Sequence, residues 1–140
     1  MNTEQSNKLI AEFMGAKPCK QHPNTQLFLT IKDNKNPSLQ YWHLLKYHKS
    51  WDWLMPVIDK IESLNIRGNG YDFPKVKFLG DHVEIFIYAT YRSDYIYWQP
   101  WVDLRGNWHN HLKQYNSRIE AVYAAIIEFI EWYNKHQKTN

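Results

Sequence analysis

Two histidines separated by one residue, His109 and His111, form the closest imidazole pair in the chain. On an extended strand, residues two apart face the same side, so both rings could reach one metal ion. Two ligands make neither a structural zinc site, which takes four, nor a catalytic one, which takes three. His43, His48, Asp81 or Asp103 would have to complete the set, and a metal-dependent hydrolase is then one alternative function. The simpler reading of Trp108-His109-Asn110-His111 is a polar loop ahead of a helix cap at Ser117, so no metal or other cofactor is expected.

A second cluster gathers Tyr47, His48, Trp51, Asp52 and Trp53 within seven residues. His48 and Asp52 are four apart, and a carboxylate beside an imidazole is the arrangement that orients a general base. The competing reading gives Asp52 a helix-start role through capping and charge, with the aromatics fixing how the chain enters that helix.

The densest aromatic run lies between Tyr91 and Trp108, where Tyr95, Tyr97, Trp98, Trp101 and Trp108 stand near Arg92 and Arg105. Asp94 and Asp103 formally cancel the two arginines. Such a surface can stack sugars, bases or a partner's side chains. With Lys75, Lys77, Phe86 and Tyr88 it makes the best nucleic-acid case in the sequence; the alternative is an aromatic face buried beneath a helix. No phosphate-cradling glycine loop, HExxH or nucleophile elbow occurs. Cys19 and His22 are close but sit in a polar stretch with no clear nucleophilic architecture.

Three helices would carry these residues. The first spans about Glu4–Met14, with Leu9, Ile10, Phe13 and Met14 at helical spacing and Gly15 placed to end it. The second lies within Ser50–Leu64, where Leu54, Ile58 and Ile61 form one stripe joined by Met55, Val57 and Leu64. Pro56 offers two choices: Asp52 caps and Pro56 falls in the first turn, or the helix begins at Ser50 and bends. The third begins at a Ser117–Glu120 capping box and carries Ile119, Val122, Tyr123, Ile126, Ile130 and Tyr133 to about Lys135.

Between the second and third helices the apolar period changes from 3.6 to 2. Lys75–Leu79 and His82–Thr90 read as strands joined across Gly80-Asp81, with Tyr95–Trp98 as a third and Leu39–Leu45 as a fourth. Gln26–Ile31 reads as loop with a short edge strand. Both faces of the His82–Thr90 strand carry large apolar groups, so helices are expected on both sides. The fold class is therefore α+β: an α/β/α layered sandwich with three main helices and a three- to four-stranded, mostly antiparallel sheet, in one domain over residues 1–140.

The stretches KLIAEFMG (8–15), YHKSWDWLMPVIDKIESL (47–64) and SRIEAVYAAIIEFIEWYN (117–134) together resemble a family of small proteins from bacteriophages and prophages of Bacteroides-like bacteria. That family resembles the phage ABA sandwich domain, a helix–sheet–helix fold. The resemblance implies the layered fold and a phage-related origin; the family has no established activity, so it implies no catalytic residue. The middle, 65–116, departs from the pattern.

Composition bounds what remains. The 140 residues are 44% apolar, 22% charged and 16% aromatic, with seven Trp, ten Tyr and six Phe, which fits a folded globular chain. One cysteine rules out an intramolecular disulfide framework. A net charge of +3 is a weak bias, and the seven Lys of the first fifty residues are dispersed. The polar amino terminus is wrong for a signal peptide and no apolar run is long enough to span a membrane, so a cytoplasmic protein without a membrane partner is expected. The leading expectation is an accessory protein acting through contacts with a phage or host protein or as a homo-oligomer, with nucleic-acid binding the first alternative.

Overall fold

A computed structural model of the chain describes residues 1–30, 36–65, 74–79, 82–87 and 117–137. It has the expected α+β composition, with three main helices and antiparallel strands. Two compact units divide the chain, residues 1–57 and 58–140.

In the first unit, α1 (Thr3–Phe13) is closed at both ends by its own sequence. Asn2 Oδ1 accepts from the Gln5 amide at 2.8 Å, and Gln5 Oε1 accepts from the Asn2 amide at 3.0 Å. This reciprocal capping box satisfies two amide donors that a helix start leaves orphaned. At the other end Gly15 adopts φ +88, the left-handed conformation that costs glycine nothing. Its amide donates to the Glu12 carbonyl and the Ala16 amide to that of Ala11, the paired bonds of a Schellman stop. The buried face of α1 is Ser6, Asn7, Ile10 and Ala11. The expected stripe therefore rotates by one position, leaving Leu9, Phe13 and Met14 only half-buried.

Three short strands follow: β1 (Lys17–Pro18), β2 (Gln26–Leu29) and β3 (Ser38–Tyr41). They form an antiparallel sheet in the order β1-β2-β3. The segment expected as an edge strand is thus the central one. Its alternation explains this, because Leu27 and Leu29 are buried while Phe28 between them is exposed. The strand expected over Leu39–Leu45 ends early, at Tyr41, where the chain tightens into a 3-10 turn over Trp42–Leu44. That turn seats Trp42, 5% exposed, whose indole Nε1 donates to the Pro23 carbonyl at 3.2 Å.

Helix α2 (Trp51–Ser63) begins at the earlier of the two expected starts, with the Ser50 carbonyl accepting from the Trp53 and Leu54 amides. Pro56 therefore lies inside the helix. The stripe of Leu54, Val57, Ile58 and Ile61 is buried as expected, but Met55 is 42% exposed and Leu64 half-buried. At about 100° per residue Met55 falls on the arc of Trp51, away from that stripe.

In the second unit β4 (Pro74–Leu79) and β5 (His82–Ile87) make an antiparallel pair. Leu79 opposes His82, which leaves the expected two-residue connection. Pro74 stands at the start of its strand, where a missing amide costs least. The Val76 amide donates to Glu62 Oε2 at 3.4 Å, tying β4 to the end of α2. Helix α3 (Arg118–Gln137) packs on β5. Ser117 Oγ accepts from the Glu120 amide at 3.3 Å, the expected cap. Its buried face is Ala121, Val122, Ala125, Ile126, Phe129 and Ile130, with Tyr123 and Tyr133 at the margin. Tyr133 stacks on Phe129 with centroids 6.1 Å apart and an interplanar angle of 13°.

The strands expected over Tyr95–Trp98 and beyond Ile87 lie outside the described residues. Among the described residues, no helix is long and apolar enough to cross a membrane.

The stop at Gly15 gives a direct test. A Cβ there meets nothing within 4 Å, so only backbone strain opposes a side chain. Gly15→Ala should lower unfolding free energy by about 1 kcal/mol, and Gly15→Asn by less, because asparagine tolerates the left-handed region. Urea unfolding of the two variants beside the parent checks the order.

Candidate functional site

The cluster expected around Tyr47–Trp53 is assembled by a residue far away in sequence. Asn7, on the inner face of α1, is 3% exposed. Its Nδ2 donates to the Leu45 carbonyl at 3.0 Å and stands 3.0 Å from His48 Nδ1. An amide nitrogen carries two hydrogens and accepts nothing, so one goes to Leu45 and the other to the imidazole. Flipping the amide would set its oxygen against the Leu45 carbonyl oxygen, which fixes the orientation. His48 Nδ1 is therefore an acceptor, and the neutral ring carries its proton on Nε2.

That assignment changes what His48 can do. A general base held by Asp52 would offer a lone pair; held by Asn7 through Nδ1, this ring offers an N–H. The same bond opposes protonation. Partial burial of His48, with the neighbouring Lys49 charge second, lowers its pKa below the ordinary value. Asp52 sits exposed in the first turn of α2, where a carboxylate complements the helix dipole.

The aromatics around the cluster divide sharply. Tyr47 is 3% exposed and meets Trp53 edge to face, with centroids 5.1 Å apart and planes at 90°. Burial pushes its phenol far above the usual tyrosine range. Trp51 turns outward and is 38% exposed. Above α1, Lys8 bridges Glu4 at 3.5 Å and lies 5.5 Å from the centre of the Trp42 ring, a cation–π contact that ties α1 to the 3-10 turn. Tyr47 and the clamp that Asn7 makes on the Leu45 carbonyl and His48 are thus structural, whereas Trp51 and Asp52 are presented on the surface.

The remaining expected site residues, Tyr95, Tyr97, Trp98, Trp101, Arg105, Trp108, His109 and His111, lie outside the described residues. Among the described residues, no three His, Cys, Asp or Glu side chains are grouped to hold a metal. In the hairpin, the register sets Lys75 opposite Phe86 and Lys77 opposite Glu84. Cys19 is buried, and its carbonyl accepts from the His22 amide at 3.2 Å in a local turn.

A surface that the sequence did not single out is more distinctive. On the outward face of the β1-β2-β3 sheet, Phe28 is 42% exposed, Leu39 47% and Tyr41 43%. Phe28 stands directly between Leu39 and Lys17, and Tyr41 stands opposite Gln26. Leu44, 53% exposed, follows just beyond, and the Tyr41 and His43 rings lie 5.8 Å apart. The signal was present in the Gln26–Leu29 alternation, which obliges Phe28 to face away from Leu27 and Leu29.

The clamp makes two predictions. Asn7→Ala removes the donor from the Leu45 carbonyl and from His48 together, and should cost about 1–3 kcal/mol in urea unfolding. For pH, the unfolded chain takes up a proton on His48 near pH 6.5, while the folded chain does so only at lower pH. The unfolded state then binds more protons, so the His48 contribution is full above about pH 6.5 and is lost as the pH falls through the folded pKa. Replacement His48→Asn, which keeps an acceptor on the short side of the ring, should flatten that part of the stability–pH profile measured between pH 7.5 and 5.

Compared with family models, curated proteins and solved structures, the chain matches none.

Proposed function

We propose that this protein is a small phage-type accessory protein that acts in the cytoplasm through protein–protein contacts, self-association first among them. The observation that supports this reading is the outward sheet face, where Phe28, Leu39 and Tyr41 are each more than two-fifths exposed on adjoining strands. Single exposed apolar side chains are ordinary on protein surfaces; a contiguous group is not. Together with Leu44 these side chains offer roughly 300–400 Å² of accessible surface, the scale at which an exposed patch commonly marks a contact site.

The composition of the patch also suits a protein partner. Tyr and Phe are enriched at interfaces, and Lys17 and Gln26, which share the outward face, supply a polar margin beside the apolar centre. Strands β1 to β3 contain one charge, Lys17, and no acid. Two copies meeting there bring little like-charge repulsion. The phage assignment is supported by the helical motifs at 8–15, 47–64 and 117–134.

The patch is smaller than the ~800 Å² per partner of a standard stable interface. Association in the micromolar range or weaker is therefore expected. Light scattering across a concentration series should show a rising mean mass for the parent chain. Phe28→Lys or Leu39→Lys should weaken association by tenfold or more, as loss of a central anchor does, with little change in unfolding free energy. A monomer at every concentration, or variants that associate as the parent does, would remove the sheet face as a self-association surface.

A further inference from the structure

The two edges of the β1-β2-β3 sheet are not alike. The β1 edge holds Lys17 and Pro18, both of which discourage another strand: the lysine by its charge and the proline by its missing amide. The β3 edge reads Ser-Leu-Gln-Tyr, with no charge and no proline inside the strand. Among the described residues, β3 pairs on one side only.

Hydrogen bonds just beyond the strands settle which backbone groups point off that edge. The Trp42 amide donates to the Thr25 carbonyl at 3.0 Å, continuing the β2–β3 register by one position. Antiparallel ladders alternate between bonded and non-bonded pairs, so Gln40 with Leu27 and Ser38 with Leu29 are the bonded ones. The Cys19 amide donates to the Gln26 carbonyl at 3.0 Å, which sets Gln26 and Phe28 bonding toward β1 and gives the same alternation from the opposite side. The N–H and C=O groups of Leu39 and Tyr41 therefore point away from β2. These are also the two β3 residues that the outward face leaves 47% and 43% exposed.

We propose that the β3 edge is a self-docking strand that pairs antiparallel with β3 of a second copy about a two-fold axis through Gln40, joining two three-stranded sheets into one of six. This rests on the self-association read above and places its contact at the strand edge beside the exposed face. In this register Leu39 opposes the other copy's Tyr41 and Tyr41 its Leu39. Each pair exchanges two backbone bonds, so all four outward-pointing groups of each strand are satisfied. The geometry is isologous and closes at two copies. Directly opposed side chains become an aliphatic–aromatic pair on the outward face, a favourable cross-strand combination, and no like charges meet. Two features confine pairing to these residues. Pro37 has no amide to extend it on one side, and the 3-10 turn from Trp42 ends the strand on the other.

Residue-resolved amide exchange on the full chain, at concentrations well above and well below the association midpoint, tests the pairing. Leu39 and Tyr41 amides should exchange about tenfold or more slowly in the concentrated sample. Ser38 and Gln40 amides, already bonded to β2, should change little. Association without selective protection of Leu39 and Tyr41 would overturn strand pairing while leaving the sheet face as the contact. A chain that stays monomeric would overturn both.

Discussion

A single buried amide organises the first unit. Asn7 Nδ2 spends its two hydrogens on the Leu45 carbonyl and on His48 Nδ1, 38 and 41 residues further along the chain. A polar side chain only 3% exposed is tolerated because those hydrogens are satisfied. The bond joins α1 to the segment that leaves the sheet and enters α2. It thereby holds the 3-10 turn, Tyr47 and the start of α2 in one arrangement, and the cation–π contact of Lys8 on Trp42 secures the same junction. An apolar residue at position 7 could pack there, but it would specify neither the path of the Leu45 backbone nor the tautomer of His48.

The consequence for function is indirect. With Leu27, Leu29, Trp42, Leu45 and Tyr47 committed to the core, the opposite face of the sheet carries Phe28, Leu39 and Tyr41 outward. Strand periodicity allows no other outcome once the register is set. The patch is therefore a by-product of a well-determined interior. Its neutral edge and apolar face give the proposed contact its chemistry. His48, which the sequence offers as a base, is instead a donor-bearing ring placed by α1, which fits a structural role.

Local signals in the sequence account for much of this fold. The Gly15 stop, the Ser117 cap, the hairpin register and the Leu54–Ile61 stripe all follow from interactions within a few residues, where spacing alone carries the information. Longer-range features were harder to read. Asn7 looks like one more polar residue on an amphipathic helix, because its partners are about forty residues away. Met55 looks like core until the Leu54, Val57, Ile58 and Ile61 arc fixes which way the helix faces. Gln26–Leu29 is too short for its length to reveal that it is the central strand, since that depends on two partners whose pairing the sequence does not encode locally. The Asn2–Gln5 capping box went unread: apolar spacing placed the start of the first helix near Glu4, whereas the cap at Asn2 sets it at Thr3.

The state of the His48 ring tests the central constraint most directly. A long-range proton–nitrogen correlation spectrum at neutral pH distinguishes the two neutral tautomers and the imidazolium by their ring nitrogen shifts. A clamp made by Asn7 predicts a neutral ring with Nδ1 unprotonated and accepting, and the proton on Nε2. A ring protonated on Nδ1, or on both nitrogens at that pH, would contradict the clamp and the organisation of the unit built on it.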